Sequence, residues 1–563
     1  MFIATMTTRG KIVLTLLILG VVGFGVWRWW EKLQPGFGLR PPGTQAQATN
    51  APSAAKPAPP AELTETQTEV PPLAAPAAYQ PKDDIIDLEL SEYAGYAGLI
   101  VANGGLEPNE NSLFYKKHGF KVRIKLSEEE SWSALNSGKM AASATTVDVL
   151  AVYGKQFQVV VPAQIGFSRG ADGVVVRSDI KRINGLKGRM LATSQFTEAD
   201  FFIRYLAQEA GLSIQMLPDL AAKPDPESLN LVFCKDAFAA GDFFLRELKA
   251  GENRLAGCVT WAPKTTEVAK ESGGKARILT TSLNLLIVAD ILVVNKGFAQ
   301  QSPDKVAGLV NGLLEGNRLV RDNPAACYDV IGKAFKWDRE QTKAELAKVH
   351  PSNLPENLAF FSGAIDAAGS FGGIYQAAVY SYGNQLVKDP IDAERFLDLK
   401  HLKTLEASGA FKDQKIAIAP IRTGSASAVE GDPVLSKDIR FLFSANATNL
   451  DLTVLENLSQ LEAIRKLLQV SPGSTVLLRG HVDTTPAKID EFRKAGGEAH
   501  VRNMALRAVE LSRNRAAEIK RLLAEKHAVD PARVDIVGRG WEEPLGPDGE
   551  KNRRVEVQWF MLE

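Results

Sequence analysis

Side chains able to do covalent or metal chemistry are few in this sequence of 563 residues. The three cysteines, Cys234, Cys258 and Cys327, include no CxxC pair, and the six histidines form no HxxxH pattern, so no metal site is expected. Cys234 and Cys258 could form a disulfide in an oxidising compartment, or could be small buried apolar residues. P-loop and HExxH motifs are missing from the sequence, and no convincing pair of catalytic carboxylates is present. We therefore expect no enzymatic activity, no catalytic residue and no cofactor.

Charge and length limit the kinds of protein this could be. Lysine plus arginine number 66, as do aspartate plus glutamate, so the net charge is zero. Nothing in that balance favours nucleic acid as a partner. The chain is too long for a single core, and its length predicts three or four units.

The C-terminal part, residues 438–563, has the apolar periodicity of a small α/β domain. The pattern predicts a βαβαββ order, with strands at 439–445, 475–481, 534–539 and 554–560 and helices at 455–468 and 504–526.

Four motifs in this part carry a resemblance to a known family. They are Gly480–Asp483, Leu511–Ala516, Gly538–Pro544 and Asn552–Val557. Together and in this order they resemble the OmpA-like peptidoglycan-associated family, in which the first motif usually reads Gly-His-Thr-Asp. The resemblance implies a domain without catalytic chemistry that grips the diaminopimelate of a peptidoglycan stem, whose free end is a zwitterion.

The resemblance also implies which residues bind. Asp483 would bind the ammonium group and Arg515 the carboxylate, which arginine can do with two hydrogen bonds. For either residue alone, a solvated surface charge is the alternative. Family members often carry Asn where this chain has Ala508, and Asn503 is the candidate substitute.

Two further features of this part need an interpretation. Arg553 and Arg554 are predicted to be structural, tying the last strand to its neighbours. The stretch between Asp483 and Arg515 is longer than is usual for the family and contains Gly496–Gly497. This insert could cover, widen or reshape the cleft, or be a tolerated surface loop.

Residues 84–405 alternate short apolar runs with helical patterns. This alternation predicts α/β architecture with mainly parallel sheets, followed by several successive helices from Pro303 onward. Predicted strands lie at 120–124, 158–162, 173–177, 189–192, 230–233, 255–259 and 285–294.

The order of several motifs in this region resembles periplasmic solute-binding proteins of the nitrate/taurine/sulfonate class. They are Ser91–Tyr96, Leu135–Met140 followed by Ser143–Thr146, Gly170–Val176, Val259–Pro263 and Ala289–Asn295. The resemblance implies a two-lobed fold with a small solute between the lobes, at the carboxyl ends of strands and the N-termini of helices.

Polar and aromatic side chains at those positions are the candidate ligand contacts. They are Tyr93, Ser143, Thr145, Thr146, Thr193, Ser194, Gln195 and Trp261, with Asp236 as a weaker candidate. A helix cap is the alternative for each hydroxyl, and core packing is the alternative for Trp261. No lysine or arginine is required to face an anion, so phosphate, sulfonate, nitrate and neutral organic solutes all remain open.

The N-terminal segment looks like a membrane anchor. Arg9 and Lys11 precede an uncharged, mostly apolar run, 12–27, that could be a signal peptide or a short membrane helix. Bulky Trp27, Trp29 and Trp30 replace a cleavage site and favour retention. Residues 1–33 are therefore predicted to be a single-pass signal anchor in a bacterial inner membrane, with a cytoplasmic N-terminus and the bulk of the chain in the periplasm.

Two linkers are predicted, a Pro- and Ala-rich one at 34–83 and a second at 406–437. The whole chain is thus predicted to be a membrane-tethered, wall-anchored solute-binding protein that serves an ABC permease or a sensor. The alternative is a non-enzymatic scaffold whose lobed domain contacts another protein.

Overall fold

The computed structural model describes residues 62–127, 131–283, 285–364, 369–418, 433–439, 441, 443, 447–471, 473–546 and 549–560. They all belong to one unit of the chain, Pro59–Glu563. The predicted membrane anchor, residues 1–33, lies outside the described residues. Within the described ranges, no helix is long and apolar enough to cross a membrane.

The first lobe begins as an α/β layer built on parallel strands. Its first elements are β1 (Ile85–Leu90), α1 (Ala97–Asn103), α2 (Leu113–His118), β2 (Lys121–Leu126), α3 (Trp132–Asn136), β3 (Ala142–Thr146), α4 (Val147–Tyr153) and β4 (Val159–Ser168). Strand β1 pairs in parallel with both β2 and β3. Every residue of β3 is buried, as expected for a strand covered on both faces.

The chain then crosses to a second lobe. Its elements are β5 (Asp172–Arg177), β6 (Met190–Ser194), α5 (Glu198–Glu209), β7 (Ser213–Met216), β8 (Ser228–Cys234), α6 (Ala237–Ala250), β9 (Gly257–Trp261), α7 (Lys264–Glu271) and β10 (Ala276–Thr281). The strand order is β10-β5-β9-β6-β8-β7. Strands β6 to β9 of this sheet pair in parallel, whereas β5 and β10 are antiparallel to their neighbours.

The chain returns to the first lobe through β11 and ends it with helices. These elements are β11 (Ala289–Asn295), α8 (Lys296–Gln301), α9 (Pro303–Asp322), α10 (Pro324–Phe335), α11 (Arg339–Leu346), β12 (Val349–Pro351), α12 (Leu354–Ser362), α13 (Phe371–Leu386) and α14 (Lys400–Ala407). The completed sheet has the order β12-β4-β11-β3-β1-β2.

Two lobes were predicted for this region, and two six-stranded sheets confirm them. The sheets are mixed rather than mainly parallel, because the strand that returns from the other lobe, β11, is antiparallel to both its neighbours, β3 and β4. The predicted strand at 285–294 is shorter than expected. Its first apolar residues form the crossing between the lobes, and the strand itself begins at Ala289.

Residues 62–83, which we call the strap, differ from the free linker predicted for them. In the second lobe the Thr64 N–H donates to the Phe233 carbonyl at 3.0 Å. In the first lobe the Ala77 N–H donates to the Asn136 carbonyl, also at 3.0 Å. The strap is therefore bound to both lobes through its backbone, although its composition predicts no core of its own.

The C-terminal domain has the predicted βαβαββ order, with one added short helix. Its elements are β13 (Leu435–Ile439), α15 (Leu455–Val470), β14 (Thr475–Gly480), α16 (Pro486–His527), β15 (Val534–Gly538), α17 (Gly549–Asn552) and β16 (Val555–Phe560). The strand order is β13-β16-β14-β15, and only the β14–β15 pair of this sheet is parallel. The insert, for which a surface loop was one alternative, is helical, because α16 starts at Pro486 and is interrupted only at Gly496 and Gly497.

This domain is bonded to the second lobe and to the crossing segment. The Ile183 N–H donates to the Val434 carbonyl, and Asn184 exchanges two hydrogen bonds with the Ser436 backbone. On the other side of the domain, the Leu286 N–H donates to the Val470 carbonyl at 2.7 Å. The described ends of the predicted second linker, up to residue 418 and from residue 433, are therefore parts of packed surfaces.

Candidate functional site

The first half of the site lies where β3 ends and α4 begins. Thr145, Thr146 and Asp148 are all buried there, and Asp148 is 0% exposed. Thr146 occupies the N-cap position with an extended backbone, yet its side chain makes no capping hydrogen bond. The alternative of a simple helix cap therefore fails for Thr146.

The second half is the matching corner of the other lobe, where β6 ends and α5 begins. Thr193 and Ser194 are buried at the end of β6. Phe196 follows with a φ of 64°, a conformation that is rare for bulky residues and is concentrated at functional sites. Its N–H donates to Asp200 Oδ2 at 3.1 Å, and Arg204 Nε donates to Asp200 Oδ1 at 2.6 Å.

Helix α13 closes one side of this interlobe cleft. It packs against both α4 and α5, and those two helices also contact each other across the lobes. From α13, the Tyr382 hydroxyl donates to the Thr197 carbonyl at 3.3 Å. The Arg204 guanidinium lies 5.1 Å from the centre of the Tyr382 ring. The two strand-end corners are thus held face to face in a closed arrangement.

The base of the cleft is formed by the segments that cross between the lobes. Asp172 begins β5 and Asp290 lies near the start of β11. The hydroxyls of Tyr93 and Tyr96 donate to the two oxygens of Asp290, each at 3.3 Å. Ser168, at the end of β4, accepts from the Asp172 N–H at 3.2 Å.

The electrostatics of the cleft are dominated by buried carboxyls. The pKa of Asp148 is raised to about 7, mainly by burial and to a smaller extent by the nearby negative charges of Asp200 and Asp172. Burial likewise raises the pKa of Asp172 to about 6. The pKa of Asp290 is raised well above its ordinary value, by burial first and then by the charges of Asp172 and Asp148. The cleft therefore gathers acidic groups from both lobes into one low-dielectric place.

The structure places some of the predicted hydroxyl contacts at the cleft and others elsewhere. Thr145, Thr146 and Thr193 are brought together with Tyr93 at the interlobe corners, as described above. Ser143, by contrast, donates to the Glu89 carbonyl of β1 at 3.1 Å and so ties two strands of the first lobe.

The other predicted contacts lie apart or serve local structure. Gln195 bonds in both directions with the backbone of Gln67, so it holds the strap. Asp236 caps α6 by accepting from the Ala239 N–H at 2.6 Å. Trp261 is buried at the end of β9, opposite Asp172 in the β5–β9 ladder, and its ring lies 5.4 Å from that of Phe238.

The four acidic residues of the cleft were missed as site residues by the sequence reasoning. Asp148 and Asp200 read as ordinary acidic residues in the first turn of a helix, where the helix dipole favours them. The usable signal was the isolated Asp290 within an otherwise apolar strand.

All three cysteines are buried in the structure. Cys234 and Cys258 are free and buried, so the disulfide considered for them is not formed. Burial raises the pKa of the Cys234 thiol to about 12, which keeps it protonated and inert.

In the C-terminal domain, Asp483 lies in a turn directly after β14 and is surrounded by groups from the last helix and strand. Asn552 Nδ2 donates to Asp483 Oδ1 at 3.4 Å. An Arg553 guanidinium nitrogen lies 3.9 Å from Asp483 Oδ2, and both side chains remain partly exposed. The prediction that Arg553 is merely structural does not fit this position, because it faces Asp483 rather than a neighbouring strand.

Arg515 approaches the same place from α16. Its guanidinium lies 4.9 Å from the centre of the Phe443 ring, and Nε donates to the Ala447 carbonyl at 3.0 Å. Burial lowers the pKa of Arg515, and the positive charge of Arg553 lowers it further. Two guanidinium groups and one carboxylate thus meet at one edge of the domain, an arrangement that suits a zwitterion with a free carboxylate.

The proposed substitute Asn503 does not belong to this group. It is exposed on α16 and lies about 18 Å before Arg515 along the helix axis, at ~1.5 Å per residue. Asn503 as a binding residue is therefore a prediction that the geometry does not favour. An amide beside Asp483 comes instead from Asn552, which the sequence analysis named as part of a motif but not as a binding residue.

The insert places an aromatic surface beside this edge. Phe492 lies on the first segment of α16 and stacks on Trp541, with ring centres 6.2 Å apart. Trp541 directly follows Gly540, whose carbonyl accepts from the Val482 N–H at 2.8 Å, next to Asp483. Of the alternatives considered, the insert therefore reshapes the surroundings of Asp483 and is not a free loop.

Comparisons with known proteins agree with the division into two parts. Residues 442–558 match the OmpA family, so the C-terminal domain is an OmpA-family domain. No curated protein matches the sequence closely enough to indicate a relationship.

Similar solved structures cover the two-lobed region. The alkanesulfonate-binding protein SsuA from Xanthomonas axonopodis pv. citri, bound to MOPS, is 13% identical, covers 57% of this chain and 100% of its own, and has a TM-score of 0.42. The periplasmic aliphatic sulphonate binding protein SsuA from Escherichia coli is 14% identical, covers 56% and 97%, and has a TM-score of 0.42. The desulfurization enzyme DSZB is 14% identical, covers 58% and 99%, and has a TM-score of 0.38. Values this low are no guide to a ligand or an activity.

Proposed function

We propose that this protein is a non-enzymatic, solute-binding protein of the bacterial envelope that attaches to peptidoglycan through its C-terminal domain. The observation that carries the solute-binding part is the meeting of two strand-to-helix corners, β3–α4 and β6–α5, across the lobes. Buried hydroxyls at the strand ends supply specific contacts. Opening and closing of the two lobes about the crossing segments would admit and release the solute.

The wall-binding part rests on Asp483, Arg515 and Arg553. A carboxylate and a guanidinium fixed at one edge match the ammonium and carboxylate of a diaminopimelate stem. The membership of this domain in the OmpA family adds to that argument. Residues 1–33 would anchor the chain in the inner membrane, and the captured solute would pass to an ABC permease or a sensor.

The wall-binding proposal is tested by co-sedimentation of the full-length protein with purified peptidoglycan sacculi. Replacing Arg515 with alanine removes charge-assisted hydrogen bonds worth ~1.5–3 kcal/mol, so binding should weaken roughly tenfold or more. Asp483→Ala should act in the same direction. Arg507→Ala, an exposed arginine on the same helix, is the matched control and should leave sedimentation unchanged.

A wild-type protein that stays in the supernatant would end the wall-binding proposal. Free diaminopimelate should compete with the sacculi, whereas cadaverine, which has two ammonium groups and no carboxylate, should not. If Arg507→Ala weakens sedimentation as much as Arg515→Ala, the attraction is a general effect of positive charge.

The solute-binding proposal is tested by thermal unfolding of the same protein with small solutes of several charge classes. A solute that binds the folded state alone raises the melting temperature. If no solute of any class changes it, the lobed domain serves instead as a scaffold for another protein.

A further inference from the structure

The interlobe cleft is rich in carboxyl groups. Its four buried carboxyls are Asp148, Asp172, Asp200 and Asp290. Among the groups that act on their pKa values, Arg204 supplies the positive charge, and it is already paired with Asp200. An anion entering this place would meet three further carboxyls, two of them at the crossing segments, and each one that ionises would repel it.

The four carboxyls differ in the hydrogen bonds that they accept from their surroundings. Asp290 accepts from two tyrosine hydroxyls, Asp172 lies beside the Ser168 hydroxyl, and Asp200 accepts from Arg204. Neither oxygen of Asp148 accepts a hydrogen bond of normal geometry among the described residues, although the Thr146 hydroxyl and the Asp148 backbone N–H both lower its pKa. A fully buried carboxylate with so little support is costly unless something else binds it.

Other buried polar atoms at the same corners also have no partner within the described chain. The hydroxyls of Thr145 and Thr193 lie at the carboxyl ends of β3 and β6, and Trp261 Nε1 lies at the end of β9. Native proteins rarely leave several such groups unpaired in one place, and a bound ligand is a common explanation. The unpaired groups come from both lobes, as a ligand held between them would require.

We propose that the interlobe cleft binds a small organic cation, such as a protonated amine or an amidinium group, with Asp148 as its ion partner. This inference rests on the proposed solute-binding function and specifies its ligand class. The cation would donate to Asp148, close to Asp172, while the Thr145 and Thr193 hydroxyls bond to the rest of the molecule. The aromatic ring of Trp261, beside Asp172, adds a surface that favours positive charge.

The direct test is isothermal titration of the full-length protein with two panels of solutes. The cations are putrescine, agmatine and choline, and the anions are nitrate, phosphate and methanesulfonate. At least one of the cations should bind, and Asp148→Asn should weaken that binding at least tenfold. Asp179→Asn, an exposed aspartate of the second lobe, is the control and should leave the affinity unchanged.

The possible outcomes distinguish the cation proposal from the proposed solute-binding function. Binding of an anion, with no cation bound and no effect of Asp148→Asn, would overturn the cation inference and leave solute binding intact. No binding of any solute in either panel would count against both. A cation that binds Asp148→Asn as tightly as wild type would also overturn the inference. A melting curve of each variant shows that it is folded.

The pH dependence of binding provides an independent readout. Lowering the pH from 8 to 5.5 should weaken binding of an amine, because Asp148 takes up a proton while the amine keeps its own. The titratable groups that interact electrostatically with Asp148 are Asp172 on β5, Asp200 on α5, Asp290 on β11 and Tyr382 on α13. Around them, Arg204 donates to Asp200, and Tyr93 and Tyr96 donate to Asp290. Affinity that is constant or increases on acidification would contradict a carboxylate as the ion partner.

Discussion

Replacing Asp148 with asparagine should stabilise the solute-free protein, and should do so more at high pH than at low pH. In the folded protein the pKa of this carboxyl is raised from 3.8 to about 7. The folded state therefore binds a proton more tightly than the unfolded state does. Between those two values the stability of the wild-type protein falls as pH rises, because the carboxyl must ionise in a buried place.

The size of the effect follows from that difference. Each unit of pKa corresponds to about 1.4 kcal/mol, so above pH 7 the ionised Asp148 lowers the free energy of unfolding by on the order of 4 kcal/mol. At pH 5 the wild-type carboxyl is still protonated when folded, and the penalty is only about 2 kcal/mol. Asparagine has a similar shape and no charge, so it removes the penalty at both values.

Urea unfolding of the full-length wild type, Asp148→Asn and the surface control Asp179→Asn at pH 5 and pH 8 measures this directly. The Asp148→Asn variant should gain more stability at pH 8 than at pH 5, and the control should gain none at either. A variant that is less stable than wild type at pH 8 would show that Asp148 has a structural partner. That result would rule out a buried Asp148 carboxylate that lacks hydrogen-bond partners in the solute-free protein.

Three further predictions concern the rest of the chain. Arg533→Ala should lower the free energy of unfolding by about 2–3 kcal/mol in urea, because Arg533 donates to three carbonyls in and after the last turn of α15 that would lose their partner. An unchanged midpoint would contradict this. Arg553→Ala should weaken sedimentation with sacculi, since Arg553 lies 3.9 Å from Asp483, and wild-type sedimentation would return it to a structural role. Gln195→Ala should speed proteolysis of the strap by removing its paired hydrogen bonds to Gln67, and an unchanged cleavage rate would show that other contacts hold that segment.

Apolar periodicity was sufficient to predict the α/β region and the βαβαββ domain because both depend on which faces are buried. The division of the α/β region into two lobes was implied by its resemblance to solute-binding proteins. Strand boundaries agree to within a few residues at β5, β6 and β16. The mixed pairing could not be predicted, since it depends on where the chain re-enters the first sheet. The strap was missed for a related reason, because its backbone bonds to partners far away in sequence.

The site was only partly predictable. Thr145, Thr146 and Thr193 were found because they end strands that precede helices, which is a local feature. Asp148 was not, because a first-turn aspartate looks like a routine response to the helix dipole. Asp148 becomes buried only when α5 and α13 pack over it. That packing depends on tertiary structure, which the local sequence does not indicate.

The most direct test of the account is native mass spectrometry of the full-length protein purified gently from its own cells. We expect a small adduct on the wild-type protein, recovered after denaturation as a cation, and no such adduct on Asp148→Asn. An anion bound to the wild-type protein would contradict the proposal that the acidic cleft holds a cation. The same adduct on wild type and Asp148→Asn, or no adduct on either, would also contradict it.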